Sequence, residues 1–131
     1  LGCYIFLPVG DNSGAIDLII SPNGIETQRV QCKYTQCKHN ASLKRDPNSR
    51  IWEVNLKQVK KRPRKYSEPV YTKDSFDILF ITTPDGNYLI DWATFCQDKG
   101  KVPFTLRLGK RLEHFKIVNL PNVVYVETKA A

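Results

Sequence analysis

The sequence predicts one mixed α/β (α+β) domain dominated by strands, and three observations carry that expectation. The chain has 131 residues, enough for a single hydrophobic core. Its composition, 41% hydrophobic and 25% charged, is that of a folded globular domain and excludes disordered and collagen-like classes. Short apolar or alternating runs recur between turn residues, whereas a single stretch reads as a helix.

In chain order, CYIFLPV is a strand stopped near Pro8, GDNSG a loop, AIDLIIS a buried strand and PNG a tight hairpin turn. TQRVQCKYT returns as the partner strand, with the β-branched and aromatic residues that strands favour. QCKHNASLKRDPNSR is polar and turn-rich, so a loop is expected. IWEVNLKQV alternates Trp52, Val54 and Leu56 with Ile51, Glu53 and Asn55 and reads as a strand. KKRPRKYSEPVYTKD is a basic, Pro-containing connection. FDILFITTPDGNYLIDW gives a strand, a PDG turn and a second strand, with Asp77 inside the first. WATFCQDKG is a short helix closed by Gly100. PFTLRL and VVYVET are strand-like around a basic GKRLEHFKI. No apolar run approaches the length needed to span a bilayer, so no membrane partner is expected. No charged n-region precedes an apolar segment, so no signal peptide is visible.

The net charge of +7 is unevenly placed. Residues 29 to 66 hold twelve of the twenty Lys and Arg against only Asp46 and Glu53, a local excess of +10. Such a block most simply meets a polyanion, with nucleic acid first. The stretch from about 38 to 66 supplies the candidate DNA contacts: Lys38, Lys44, Arg45, Arg50, Lys57, Lys60, Lys61, Arg62, Arg64, Lys65 and Tyr66. Lys99, Lys101, Arg107, Lys110, Arg111 and Lys116 offer a second wall. The cysteines Cys3, Cys32, Cys37 and Cys96 have no recurrent zinc spacing; Cys32, Cys37 and His39 offer three ligands with no second cluster to complete them. Reduced, mostly buried thiols and a cytoplasmic (intracellular) setting are expected.

Asp17 interrupts an otherwise apolar strand, an odd place for a carboxylate without a partner. Gln31 and Lys33 stand two apart in the next strand, so they share a face while the Cys32 side chain points the other way. If the PNG hairpin pairs the two strands, Asp17 joins that face. A hard cation such as Mg²⁺, with Mn²⁺ as the alternative, takes oxygen ligands, and Asp17, the Gln31 amide oxygen and the Cys32 carbonyl can supply them. Lys33 is then placed to position or deprotonate an attacking water and to offset charge growing on a phosphate. The plainer reading of Asp17 is a turn cap or an ion pair with Lys33. Asp77 is either buried with a structural partner or an accessory group at the edge of the site. Asp11 is the other accessory candidate, with turn formation as its plainer role. His39 and His114 have no nucleophile to serve, and no GxSxG, P-loop or GxGxxG is present, so neither a covalent mechanism nor a nucleotide cofactor is expected.

GDNSGAIDLII followed by TQRVQCKYT resembles the core of the PD-(D/E)XK nuclease superfamily, whose pattern is an acidic residue on one strand and (Asp/Glu/Gln)-x-Lys on the next. With Gln in that position and a Gly-Asp loop before the Asp strand, it is most similar to the small homing endonucleases of that superfamily encoded in group I introns of bacteria. The resemblance continues through YTKDSFDILFITTPDGNYLIDW and covers roughly residues 4 to 92. It implies a restriction-endonuclease-like central mixed sheet with flanking helices. It also implies an N-terminal helix with a further acidic residue, which would lie before Leu1. Carried over, Asp17 is the metal-binding acid, Gln31 the second-strand ligand and Lys33 the catalytic lysine. The expected activity is metal-dependent, site-specific cleavage of double-stranded DNA by a homodimer or higher homo-oligomer, since two strands need two sites. A restriction endonuclease and a Holliday-junction resolvase share that core, and a non-catalytic DNA-binding module is the rival from another class.

Overall fold

The computed structural model describes residues 4–7, 16–56 and 71–117. Among the described residues eight strands, two short helices and one 3₁₀ turn follow one another. The strands are β1 (Tyr4–Phe6), β2 (Leu18–Ser21), β3 (Gln28–Tyr34), β4 (Trp52–Asn55), β5 (Ile78–Thr83), β6 (Gly86–Asp91), β7 (Thr105–Leu108) and β8 (Lys116–Ile117). The helices are α1 (Asn40–Arg45) and α2 (Trp92–Lys99), and the 3₁₀ turn is Lys110–Phe115. Six strands form one sheet in the order β1-β2-β3-β5-β6-β8, and β4 pairs with β7 in a second, two-stranded sheet. Only the β3–β5 pair is parallel, so the large sheet is mixed. The fold is therefore mixed α+β with few helices, as the sequence predicts.

The core lies between the two sheets. Alternation brings Trp52, Val54, Leu106 and Leu108 from the small sheet against Leu79, Ile81, Tyr88 and Ile90 from the large one. Trp92 and Phe95 of α2 close one end, with Phe76 stacked on Trp92 at 5.0 Å between ring centres and Tyr71 edge-on to Phe76 at 5.2 Å. Helix α2 is capped by Asp91, whose carboxylate accepts from the Thr94 amide at 3.3 Å. It ends at Gly100 with φ +71°, the left-handed conformation that costs an L side chain most. At the opposite edge, β1 pairs only with β2, and Tyr4, Ile5, Phe6 and Leu7 are all exposed.

Several sequence expectations change in detail. The 36–50 segment, expected as a loop, contains α1, because His39 caps it: its Nδ1 accepts from the Ser42 amide at 3.3 Å. The connection between β2 and β3 is longer than a tight PNG turn. It runs over residues 22–27, with Asn23 Oδ1 accepting from the Ile25 and Glu26 amides and Ser21 Oγ donating to the Glu26 carbonyl. Asp77 stands just before β5 rather than inside it. Of the described cysteines, all three are free: Cys96 is buried and Cys32 half-buried, while Cys37 is exposed, against the expectation of burial. VVYVET, Cys3, Asp11 and the basic run Lys57, Lys60, Lys61, Arg62, Arg64, Lys65 and Tyr66 lie outside the described residues.

Candidate metal and phosphate site

The site is built on the β2–β3 hairpin where the large sheet leaves the shelter of the core. Leu18 pairs with Val30, and the Asp17 amide donates to the Val30 carbonyl at 2.8 Å, which brings Asp17 beside Gln31. Gln31 in turn pairs with Leu79 of β5, so the amide rests against the fully buried centre of the sheet. Asp17 Oδ2 accepts from Gln31 Nε2 and from the Cys32 backbone amide, both at 2.7 Å. Gln31 Nε2 also donates to the Cys32 carbonyl at 3.1 Å. Asp17, Gln31 and the Cys32 backbone thus meet at one point. The Cys32 thiol is held above its usual range by burial, reinforced by the negative charge of Asp17.

The Gln31 amide has one group to spare. Its Oε1 is buried and has no hydrogen-bond partner, although Gln31 is only 5% exposed. An amide presents oxygen on one side and nitrogen on the other, and the choice between them follows the partners it meets. With the nitrogen facing Asp17, the site is satisfied by hydrogen bonds and Oε1 is stranded. With the oxygen turned inward, a carboxylate, an amide oxygen and a carbonyl face one point, a set of acceptors that a cation would stabilise. This donor set fits a hard divalent ion. Among the described residues no cluster of three His, Cys, Asp or Glu forms a metal site of another kind, so Cys32, Cys37 and His39 do not combine.

Lys33 lies further along β3, on the same face as Gln31, and pairs with Ile81. Its Nζ sits 5.3 Å from the centre of the Tyr71 ring, a cation–π contact, and no ion pair joins it to Asp17. Arg29 precedes Gln31 on that face. Asp77 is engaged by Arg29: its Oδ2 accepts from the Arg29 amide at 2.8 Å and from Nε at 3.2 Å, and its Oδ1 accepts from Nη2 at 3.2 Å. The Arg29 guanidinium holds the Asp77 carboxyl below its usual range. Of the two readings of Asp77, the geometry is that of a carboxylate with a structural partner.

The described candidate DNA contacts lie on α1 and around the Trp52 ring, which both Lys38 and Arg50 approach. Lys44 and Arg45 are exposed in the last turn of α1. Lys38 bridges to Trp52 and places its Nζ 5.9 Å from that ring's centre. Arg50 has a partner that the sequence does not predict: its guanidinium binds both carboxylate oxygens of Asp85. Trp52 Nε1 donates to Asp85 Oδ2 at 2.7 Å, and Arg50 and Trp52 together bring the Asp85 carboxyl down to about 2. Of the second basic wall, Lys110 and Lys116 line a cleft of about 510 Å³ with Arg50, Asp85 and Glu113, so that cleft mixes both signs of charge.

Tyr71, Arg29 and Asp85 escaped sequence reasoning as site or support residues. Tyr71 was one aromatic in a basic connection, and Arg29 one cation in a charged block. Asp85 reads as a turn residue; its partner Arg50 is 35 positions away, and no local pattern links the two.

No protein-family model and no curated protein matches the chain. Its fold is similar to that of a solved bacterial homing endonuclease, I-Ssp6803I, with a TM-score of 0.59 and 14% sequence identity over 82% of this chain. The match spans 65% of the length of that endonuclease chain. At this identity the likeness establishes the fold, a homing-endonuclease-like mixed sheet. Among the described residues no helix is long and apolar enough to cross a membrane.

Proposed function

We propose that this chain is a Mg²⁺-dependent endonuclease domain of the PD-(D/E)XK type that hydrolyses phosphodiester bonds of double-stranded DNA, as a homing endonuclease does. The observation that carries the reading is the convergence of Asp17, the Gln31 amide and the Cys32 carbonyl within 2.7–3.1 Å, with Gln31 Oε1 left without a partner. Asp17, Gln31 and the Cys32 carbonyl would hold Mg²⁺, or Mn²⁺ in its place. A bound divalent ion supplies Lewis-acid stabilisation of the charge that develops on the phosphate. Lys33 orients the attacking water and adds a positive charge on the same face. Its packing on Tyr71 restricts a flexible side chain that would otherwise sample many rotamers. The basic segment from Lys38 onward contacts the DNA backbone, and a homodimer or higher homo-oligomer brings two sites to the two strands.

Supercoiled plasmid incubated with the chain and Mg²⁺ tests this. Asp17→Ala and Lys33→Ala are expected to abolish cleavage while duplex affinity stays within about threefold, because the charge contacts lie elsewhere. Cleavage that persists in both variants overturns the assignment. A chain that binds duplex and never cuts it favours a non-catalytic DNA-binding module. That second reading is supported by Asp17 being the one carboxylate, among the described residues, that meets Gln31 and Cys32. Preference for a short palindrome or a four-way junction over a long site would redirect the reading to a restriction endonuclease or a resolvase.

A further inference from the structure

Arg29, Gln31 and Lys33 alternate on one face of β3, and Arg29 is the member held from outside its own hairpin. Asp77 grips it twice over. The Asp77 carboxylate takes the Arg29 amide, Nε and Nη2, while the Asp77 amide donates to the Arg29 carbonyl at 2.9 Å. Both backbone and guanidinium are therefore fixed by one residue. Yet the pair is not sealed: the two side chains are 39% and 43% exposed.

An ion pair this exposed adds little stability. What it does is orient. A guanidinium has five N–H donors in a rigid fork, and Asp77 uses two of them, leaving the remaining three for a ligand. Ordering them in advance removes the rotamer entropy that an arginine loses on binding. Two residues along a strand separate Arg29 from Gln31, a step of about 7 Å. The donors thus stand beside the metal and phosphate site, on its face, and their chemistry is that of phosphate recognition.

We infer that Arg29 is a phosphate-binding residue of the site, positioned by Asp77, and that it takes a DNA phosphate beside the cluster of Asp17 and Gln31. This rests on the nuclease reading above. Asp77 serves as a positioning residue and not as a metal ligand.

The test is binding of a fluorescent duplex oligonucleotide in EDTA, followed by anisotropy over a series of salt concentrations, so that neither metal nor cleavage enters. Arg29→Gln is expected to weaken binding about 3- to 10-fold and to flatten the plot of log affinity against log salt by about 0.9, the loss of one phosphate contact. Arg29→Lys keeps the charge and is expected to keep the slope while losing part of the affinity. Asp77→Asn leaves the arginine charged but untethered, so affinity falls with the slope unchanged. A merely structural role would lower the unfolding midpoint and leave the slope of Arg29→Gln at the wild-type value, and that result overturns the inference. Should Arg29→Gln fail to fold, the folded variants Arg29→Lys and Asp77→Asn carry the test: reduced affinity at the wild-type slope in both supports the inference, and wild-type affinity in both overturns it. If the wild type cuts DNA and the slope does not move, the inference alone fails. If the wild type does not bind duplex DNA, the nuclease reading fails with it.

Discussion

Replacing Gln31 with glutamate turns the proposed metal site into a measurable electrostatic device. In the wild type the amide nitrogen donates to Asp17 Oδ2 at 2.7 Å. In Gln31→Glu a second carboxylate occupies that position, and two negative charges about 4 Å apart at an effective dielectric near 20 repel by about 4 kcal/mol. The repulsion has a ceiling, since the pair can instead bind a proton. Holding a carboxyl with an ordinary value near 4.3 protonated at pH 7 costs about 3.7 kcal/mol. The two figures agree, and the partial exposure of Asp17 screens the repulsion, so a loss of about 2 to 3 kcal/mol, below that ceiling, is expected in metal-free buffer at neutral pH. The folded-state carboxyl is raised above its unfolded value, so the penalty is absent near pH 4 and grows as pH rises. Urea unfolding in EDTA at pH 4 and pH 7 measures it. Mg²⁺ at millimolar concentration is then expected to restore more stability to Gln31→Glu than it adds to the wild type. If the variant is as stable as wild type at pH 7 in EDTA, or if Mg²⁺ has the same effect on both, Gln31 does not face Asp17 as a ligand.

Three other outcomes are expected. Leu79→Ala, at a fully buried position behind Gln31, is expected to cost about 2 to 5 kcal/mol in urea unfolding. The Asp85 carboxyl sits at about 2 when folded, below its unfolded value near 3.9, so it adds stability above about pH 4 that disappears as pH falls toward 2. Thermal unfolding across that window is expected to show a shallower acid loss in Asp85→Asn than in wild type. Gly100→Ala is expected to lower stability by about 1 kcal/mol, because φ is +71° at this helix end, and the shift in thermal midpoint reports it.

The parts of the fold legible in sequence are those whose causes are local. Alternation in IWEVNLKQV places Trp52 and Val54 on the core face, and Gly100 closes α2 where the turn chemistry requires it. The i, i+2 rule puts Gln31 and Lys33 on one face without knowledge of the rest. The hidden parts depend on residues brought together late in the chain order. His39 caps α1 with a ring nitrogen, a role more often filled by Ser, Thr, Asp or Asn, so the polar 36–50 segment reads as a loop. Arg50 reads as a free cation until the β5–β6 turn supplies Asp85. Asp77 reads as a strand residue until Arg29 claims it. In each case the local signal was correct about residue type, and the partner set its role.

The two polar contacts of the site differ in how much chain they close. Asp17 meets Gln31 across 14 positions, a local hairpin, whereas Arg29 meets Asp77 across 48, through the parallel β3–β5 junction. Closing the longer loop costs about 1.1 kcal/mol more in chain entropy, and the parallel pair forms only once the intervening residues have been gathered. The hairpin that carries Asp17 and Gln31 is therefore expected to form early in folding, and the clamp on Arg29 late. A chain arrested before the β3–β5 junction would hold its Asp17–Gln31 contact and lack the clamp on its arginine.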